Sequence, residues 1–142
     1  MKTIAELEKF LEDECYSFQA ITIGRHYAPE GIVIEKAASQ YNYACSERGT
    51  TRIIESFSSE EELVNFALQA LESDRWNKAH LAAWVWSEPE IRDAELELNS
   101  MNIRFERNDI PNYSERKHAY RIFVFGKDIL RLDAFKKRYF RR

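Results

Sequence analysis

The sequence predicts an α+β fold: a mostly antiparallel sheet, with a meander of about four strands plus further C-terminal strands, packed with several helices in a single domain over residues 1–142. Three stretches carry this expectation. Tyr41, Tyr43 and Cys45 alternate with Asn42, Ala44 and Ser46, and the chain returns through Thr51–Phe57 after a turn at 47–50, the period-two signature of a hairpin. Leu63, Phe66, Ala67, Ala70 and Leu71 then recur at helical spacing behind Ser58 and Ser59, each with a Glu three residues on, so a capped amphipathic helix covers the hairpin. Tyr120–Phe125 returns to a β-prone run.

Taken in order, Thr3 with Glu6 forms a capping box, and Ile4, Leu7, Phe10 and Leu11 make the stripe of a first helix through about Glu14. Phe18–Arg25 alternates as a strand, and Pro29 and Gly31 turn the chain into the β-branched run Ile32–Ile34. Asn77–Trp86 reads as helical, placing Trp76, His80 and Trp84 on one face at i, i+4 and i+8. Ser87, Pro89 and Glu90 give an N-cap, a first-turn proline and an acidic third position, so a helix is predicted over Glu88–Ser100. Ile103–Arg107 is a short strand and Asn108–Lys117 a polar loop. Ile122–Phe125, apolar on both faces, makes a central strand. Ile129–Leu132 reads as a further strand, and Asp133 as the cap of a basic helix over Ala134–Phe140.

Composition excludes several classes. With 44% hydrophobic residues, 9 Phe, 7 Tyr, 3 Trp and only 4 Gly and 3 Pro, the 142-residue chain can bury a core and has little linker character. The charged first residues and the lack of any run approaching 18 apolar residues predict a cytoplasmic protein without a signal peptide or membrane span. Cys15 and Cys45, isolated in such a compartment, read as small apolar side chains rather than a disulfide.

Charge is segregated along the chain. Residues 1–100 hold 19 Asp/Glu against 9 Lys/Arg, whereas residues 101–142 hold 12 Lys/Arg against 5 Asp/Glu. Either the acidic part serves a basic protein partner, or the basic part serves nucleic acid, or the two neutralise each other within the fold.

Catalytic signatures are not found. His26, His80 and His118 lack zinc-type spacing, and the four scattered glycines build no phosphate-cradling loop, so neither metal, cofactor nor small-molecule ligand is expected. Glu60, Glu61 and Glu62 have a sufficient role as helix-start charges. An acid/base set of Glu47, Arg48 and His118 would require His118 to approach the 47–50 turn. The tail Lys136–Arg142 interleaves cations with aromatics as a single-strand-binding surface would, against an acidic whole.

Tyr41-x-Tyr43, Glu47-Arg48-Gly49, Phe57 and Ser59-Glu60-Glu61-Glu62, with Phe123-Val124-Phe125-Gly126-Lys127-Asp128 later, resemble the immunity proteins of bacterial polymorphic toxin and contact-dependent growth inhibition systems. The resemblance covers about a third of the chain and implies a non-catalytic inhibitor that binds the C-terminal domain of a secreted toxin, such as a nuclease. The contact residues expected under that reading are Glu60, Glu61, Glu62, Glu88, Glu90, Asp93, Glu95 and Glu97 for steering, with Trp76 and Trp84 as anchors. The alternative is a small nucleic-acid-binding regulator or enzyme that uses the basic 101–142 region.

Overall fold

In the computed structural model, which describes residues 1–115 and 117–142, the chain is an α+β protein with mostly antiparallel strands. Arg116, part of the predicted 108–117 loop, lies outside the described residues. The chain divides into two compact units, Met1–Asn77 and Lys78–Arg142.

The first unit opens with helix α1 (Ile4–Asp13), whose Thr3 and Glu6 form the predicted reciprocal capping box. Strands β1 (Ile21–Ile23), β2 (Gly31–Ala37), β3 (Gln40–Glu47) and β4 (Thr50–Phe57) follow, then helix α2 (Glu60–Glu72), capped by Ser59 through the N–H of Glu62. The sheet runs β1-β2-β3-β4. Ile21, Ile23, Ile34 and Tyr43 pack from it against Leu7 and Leu11 of α1 and Leu63, Val64, Ala67 and Leu71 of α2. Burial of these apolar side chains is what the two helix stripes are for.

Two local expectations change here. The predicted meander is antiparallel only over β2, β3 and β4, because β1 pairs parallel to β2. Its strand is also shorter than Phe18–Arg25: Ile23 and His26 exchange backbone hydrogen bonds (3.0 and 2.9 Å), which closes a turn where the strand was expected to run on. The β3–β4 hairpin turns on Arg48 (φ 52°) and Gly49 (φ 79°), the two successive positive angles that match the twist of paired strands. Tyr43 pairs with Glu55 and Ala44 with Ile53, so Ile54 is an extra residue, a bulge in an edge strand that is exposed from Thr50 to Ser56.

The second unit contains β5 (Ala79–Val85), α3 (Glu88–Ser100), β6 (Phe105–Arg107), β7 (Ile110–Ser114), β8 (Lys117–Phe125) and α4 (Asp133–Tyr139). As predicted, β8 is central, with β5 on one side and β6 and β7 on the other. Ala83, Val85, Ile122 and Val124 meet Ile91, Ala94 and Leu98 of α3 and Phe135 of α4.

Four expectations are corrected in this unit. Residues 79–85 form a strand rather than part of a helix over 77–86, since pairing with β8 buries this apolar run more completely than one helix face would. A spacing of four fits both periods, so Trp76, His80 and Trp84 could not decide between them, and the register shift between Leu81 and Ala83 puts His80 opposite Val124 but Trp84 opposite Arg121. The 108–117 segment contributes β7, because the ladder along β8 offers its backbone partners. Ile129–Leu132 is not a strand: residues Gly126–Arg131 form a 3₁₀ turn. Asp133 is the first residue of α4 and makes no capping bond; Leu132 holds the cap position.

Candidate functional site

The acidic face predicted on α3 is largely neutralised within its own unit. Glu90 pairs with Arg141 (3.2 Å), Glu95 with Arg107 (3.2 Å) and Glu97 with Arg138. Glu88 meets Arg92 one turn on (3.4 Å), and Asp93 is exposed. The bipolar charge of the sequence is therefore in part a set of internal ion pairs between α3 and the basic C-terminal region. Such pairs are individually weak at a surface, yet they cancel the field that a steering patch would need.

On the opposite side of the second unit's sheet the arrangement differs. Ala83 and Val85 of β5 face the core, so Trp84 between them points away from it, opposite Arg121 of β8. The rings of Trp84, Trp86 and Tyr113 contact one another with centroids 5.1 to 5.9 Å apart. Arg142 and Arg121 lie over the Trp84 ring at 4.9 and 5.6 Å, and Lys117 over Trp86 at 5.1 Å. The chain end is strapped there: the Arg141 N–H donates to the Trp84 carbonyl (2.7 Å), and Trp86 Nε1 donates to the Arg141 carbonyl (2.9 Å).

Trp84 is 2% exposed and Tyr113 45% exposed, so one ring is the floor of this patch and another its surface. Among the described residues the Trp84 Nε1 atom is buried without a hydrogen-bond partner, and Lys117, Arg121 and Arg142 form no ion pair with a carboxylate. Burial lowers the Arg121 pKa, opposed by Asp109 and reinforced by the like charge of Arg142. Two guanidinium groups thus share one indole, and that of Arg121 also donates to the carbonyl (2.7 Å) and Oδ1 (2.8 Å) of Asn108.

The remaining expected residues lie apart from this patch in sequence and role. Glu60, Glu61 and Glu62 occupy the first turn of α2, where Glu60 accepts the Ile4 N–H (2.7 Å) and Glu62 accepts the hydroxyl of Ser59 (2.9 Å). Trp76 is 38% exposed in the 3₁₀ turn Arg75–Lys78. Trp86, Tyr113, Lys117, Arg121 and Arg142 were not legible as a site, although the cation–aromatic interleaving of the tail was a partial signal.

Titratable side chains gather at two further places. Asp109 accepts from Arg107 twice, from the backbone N–H of Arg121 (3.0 Å) and lies 3.2 Å from His118 Nε2. Burial would raise its pKa, but those hydrogen bonds hold it below the usual carboxylate value. A carboxylate with its oxygens so occupied orients neighbours; it is no free base. His118, one member of the Glu47–Arg48–His118 set, is thus engaged with Asp109 and stacked on Tyr120 (4.0 Å). In the first unit, Glu8, Glu12 and His26 converge, with His26 Nε2 2.6 Å from Glu12 and 3.8 Å from Glu8. The hydrogen bond to His26 is the largest influence on the Glu12 pKa and lowers it; burial opposes that, and Arg25 lowers it further.

No family model matches the chain, and neither a curated protein nor a solved structure matches it.

Proposed function

We propose that this chain is an immunity protein that binds the toxic C-terminal domain of a secreted effector, one to one, and occludes its working surface. The observation that carries the reading is the Trp86–Tyr113 ring pair on the Trp84 floor, bordered by Lys117, Arg121 and Arg142. Trp, Tyr and Arg are the side chains in which binding energy concentrates, because they combine a large apolar area with a polar handle. The resemblance carried by Tyr41-x-Tyr43 and the capped Glu60–Glu62 helix start supports the same class of protein.

The contact face under this reading is cationic and aromatic rather than the acidic set on α3. A carboxylate-bearing loop of the toxin complements it, with its acid on Arg121 or Arg142 and its apolar part on the rings. The test is co-expression with the toxin domain encoded beside it, combined with titration of the purified pair. Rescue of growth and a one-to-one complex are expected. Turnover of a substrate by the isolated chain, or failure to bind or neutralise that domain, overturns the proposal.

A second reading is favoured by the same cations and rings: stacking of single-stranded nucleic acid on Trp86 and Tyr113 with phosphates on Lys117, Arg121 and Arg142. Retention of oligonucleotides at about physiological salt, with a steep salt dependence, favours it over the inhibitor.

A further inference from the structure

We propose that Glu8, Glu12 and His26 form a binding site for a divalent transition-metal ion, with Zn²⁺ the ion that best fits the donor set. The site lies in the first unit and is independent of the toxin-binding reading.

Its construction starts from α1. Leu7 and Leu11 are fully buried, which fixes the rotation of the helix and places the next residues, Glu8 and Glu12, one turn apart on a shared side. His26 is presented by the turn after β1, closed by the reciprocal Ile23–His26 backbone bonds. Its ring stacks on Phe18 with centroids 3.7 Å apart and planes 14° from parallel, so the imidazole is held from behind while Nε2 points at both carboxylates.

The donor atoms suit a small cation. One nitrogen and two carboxylate oxygens lie within 4.8 Å of one another. Zinc–ligand bonds of about 2.0–2.2 Å in tetrahedral geometry separate donors by roughly 3.4 Å, which falls between the 2.6 and 3.8 Å found from His26 to the two carboxylates. Small side-chain rotations therefore bring all three to bonding distance. The side chains are 18 to 28% exposed, which leaves a fourth position open to water. An imidazole with two carboxylates favours zinc and its first-row neighbours over Mg²⁺ or Ca²⁺, which prefer oxygen alone.

The surroundings fit as well. Gly24 has φ +55°, and a Cβ there would lie 2.4 Å from the Glu8 carboxylate, so the turn is free of a side chain where that ligand sits. The Arg25 N–H donates to Glu8 Oε2 (2.9 Å) and would keep orienting it after metal binding. The Arg25 guanidinium pairs with Glu12 (2.7 Å) but is 76% exposed, so it can swing into water when a dication takes that oxygen.

The experiment is calorimetric titration of the metal-free 142-residue chain with Zn²⁺ at neutral pH, alongside the absorption spectrum with Co²⁺. One Zn²⁺ per chain is expected, raising the melting temperature, with Mg²⁺ inert. His26→Gln and Glu12→Gln should each weaken binding by at least about tenfold. The Co²⁺ spectrum of the unmutated chain reports its ligands even where a variant folds poorly, and should lack thiolate charge transfer. No saturable one-to-one binding, unchanged affinity in both variants, or a thiolate band assigning the ion to Cys15 or Cys45 overturns the site. None of these outcomes bears on toxin binding by the second unit.

Discussion

Arg107 grips Asp109 through two hydrogen bonds, Nε to Oδ1 at 3.0 Å and Nη2 to Oδ2 at 2.5 Å. The same carboxylate accepts the Arg121 N–H at the break between β6 and β7, so it ties the interrupted edge to the central strand. Asp109→Ala should therefore destabilise the protein by about 2–3 kcal/mol, with Arg107 keeping Glu95 as its remaining partner. The folded-state pKa of Asp109 lies below its unfolded value, so its contribution is complete above about pH 4 and is lost as pH falls through the depressed value. Urea denaturation across this window should show a steeper acid loss in the natural chain than in the variant. Parallel curves would contradict this role.

Under the proposed inhibitor function, Trp86→Ala and Tyr113→Ala should each weaken binding of the toxin domain by about 2 kcal/mol or more, roughly a thirtyfold rise in Kd, because a large ring leaves a desolvated contact. Neutralising Glu88 and Asp93 should change affinity little, since they border ion-paired neighbours rather than the ring cluster. Surface plasmon resonance on both sets checks the contrast. A larger effect from the acidic pair would return the interface to α3.

Gly31 and Gly49 separate two costs of adding a methyl group. Both have positive φ, at 120° and 79°, but a Cβ on Gly31 would sit 2.1 Å from the Ala20 carbonyl oxygen, whereas one on Gly49 meets nothing within 4 Å. Gly49→Ala should cost about 1–2 kcal/mol of backbone strain. Gly31→Ala should cost several kcal/mol, because the clash is with backbone that also holds Ile32 through its N–H (2.9 Å). Equal melting temperatures for the two variants would show that the β1–β2 approach is looser than this geometry.

The elements that sequence reading located well are those whose signals are local. Thr3–Glu6, Ser59–Glu62 and Ser87–Glu90 fixed the starts of α1, α2 and α3 because a cap needs only three or four consecutive residues. The elements it misread depend on distant partners. β5 is a strand because β8 pairs with it, and the parallel β1–β2 pair depends on a turn closed by His26. Candidate sites were harder still. Glu8 and Glu12 are recognisable neighbours on a helix, but nothing in sequence spacing draws His26 to them, and the cations of the Trp86–Tyr113 patch come from β8 and from a tail positioned by backbone bonds.

That tail supplies a final prediction. Phe140 bridges to Trp84 in parallel, the Arg141 N–H donates to the Trp84 carbonyl at 2.7 Å, and its carbonyl accepts the Trp86 indole N–H at 2.9 Å. The last residues thus cap the outer edge of β5, a backbone row that would otherwise invite another strand. Ending the chain at Tyr139 should cost about 2–3 kcal/mol from lost hydrogen bonds and uncovered Trp84 surface, a fall in Tm of roughly 5–10 °C. Light scattering should also rise with concentration as the edge pairs between molecules. The double variant Arg141→Ala, Arg142→Ala keeps both backbone bonds and loses the half-exposed Arg141–Glu90 pair and the Arg142 contact with the Trp84 ring, each worth about 1 kcal/mol or less, so its Tm should fall by less than that of the truncation. If the double variant falls as far as the truncation, the side chains and not the strap protect this edge.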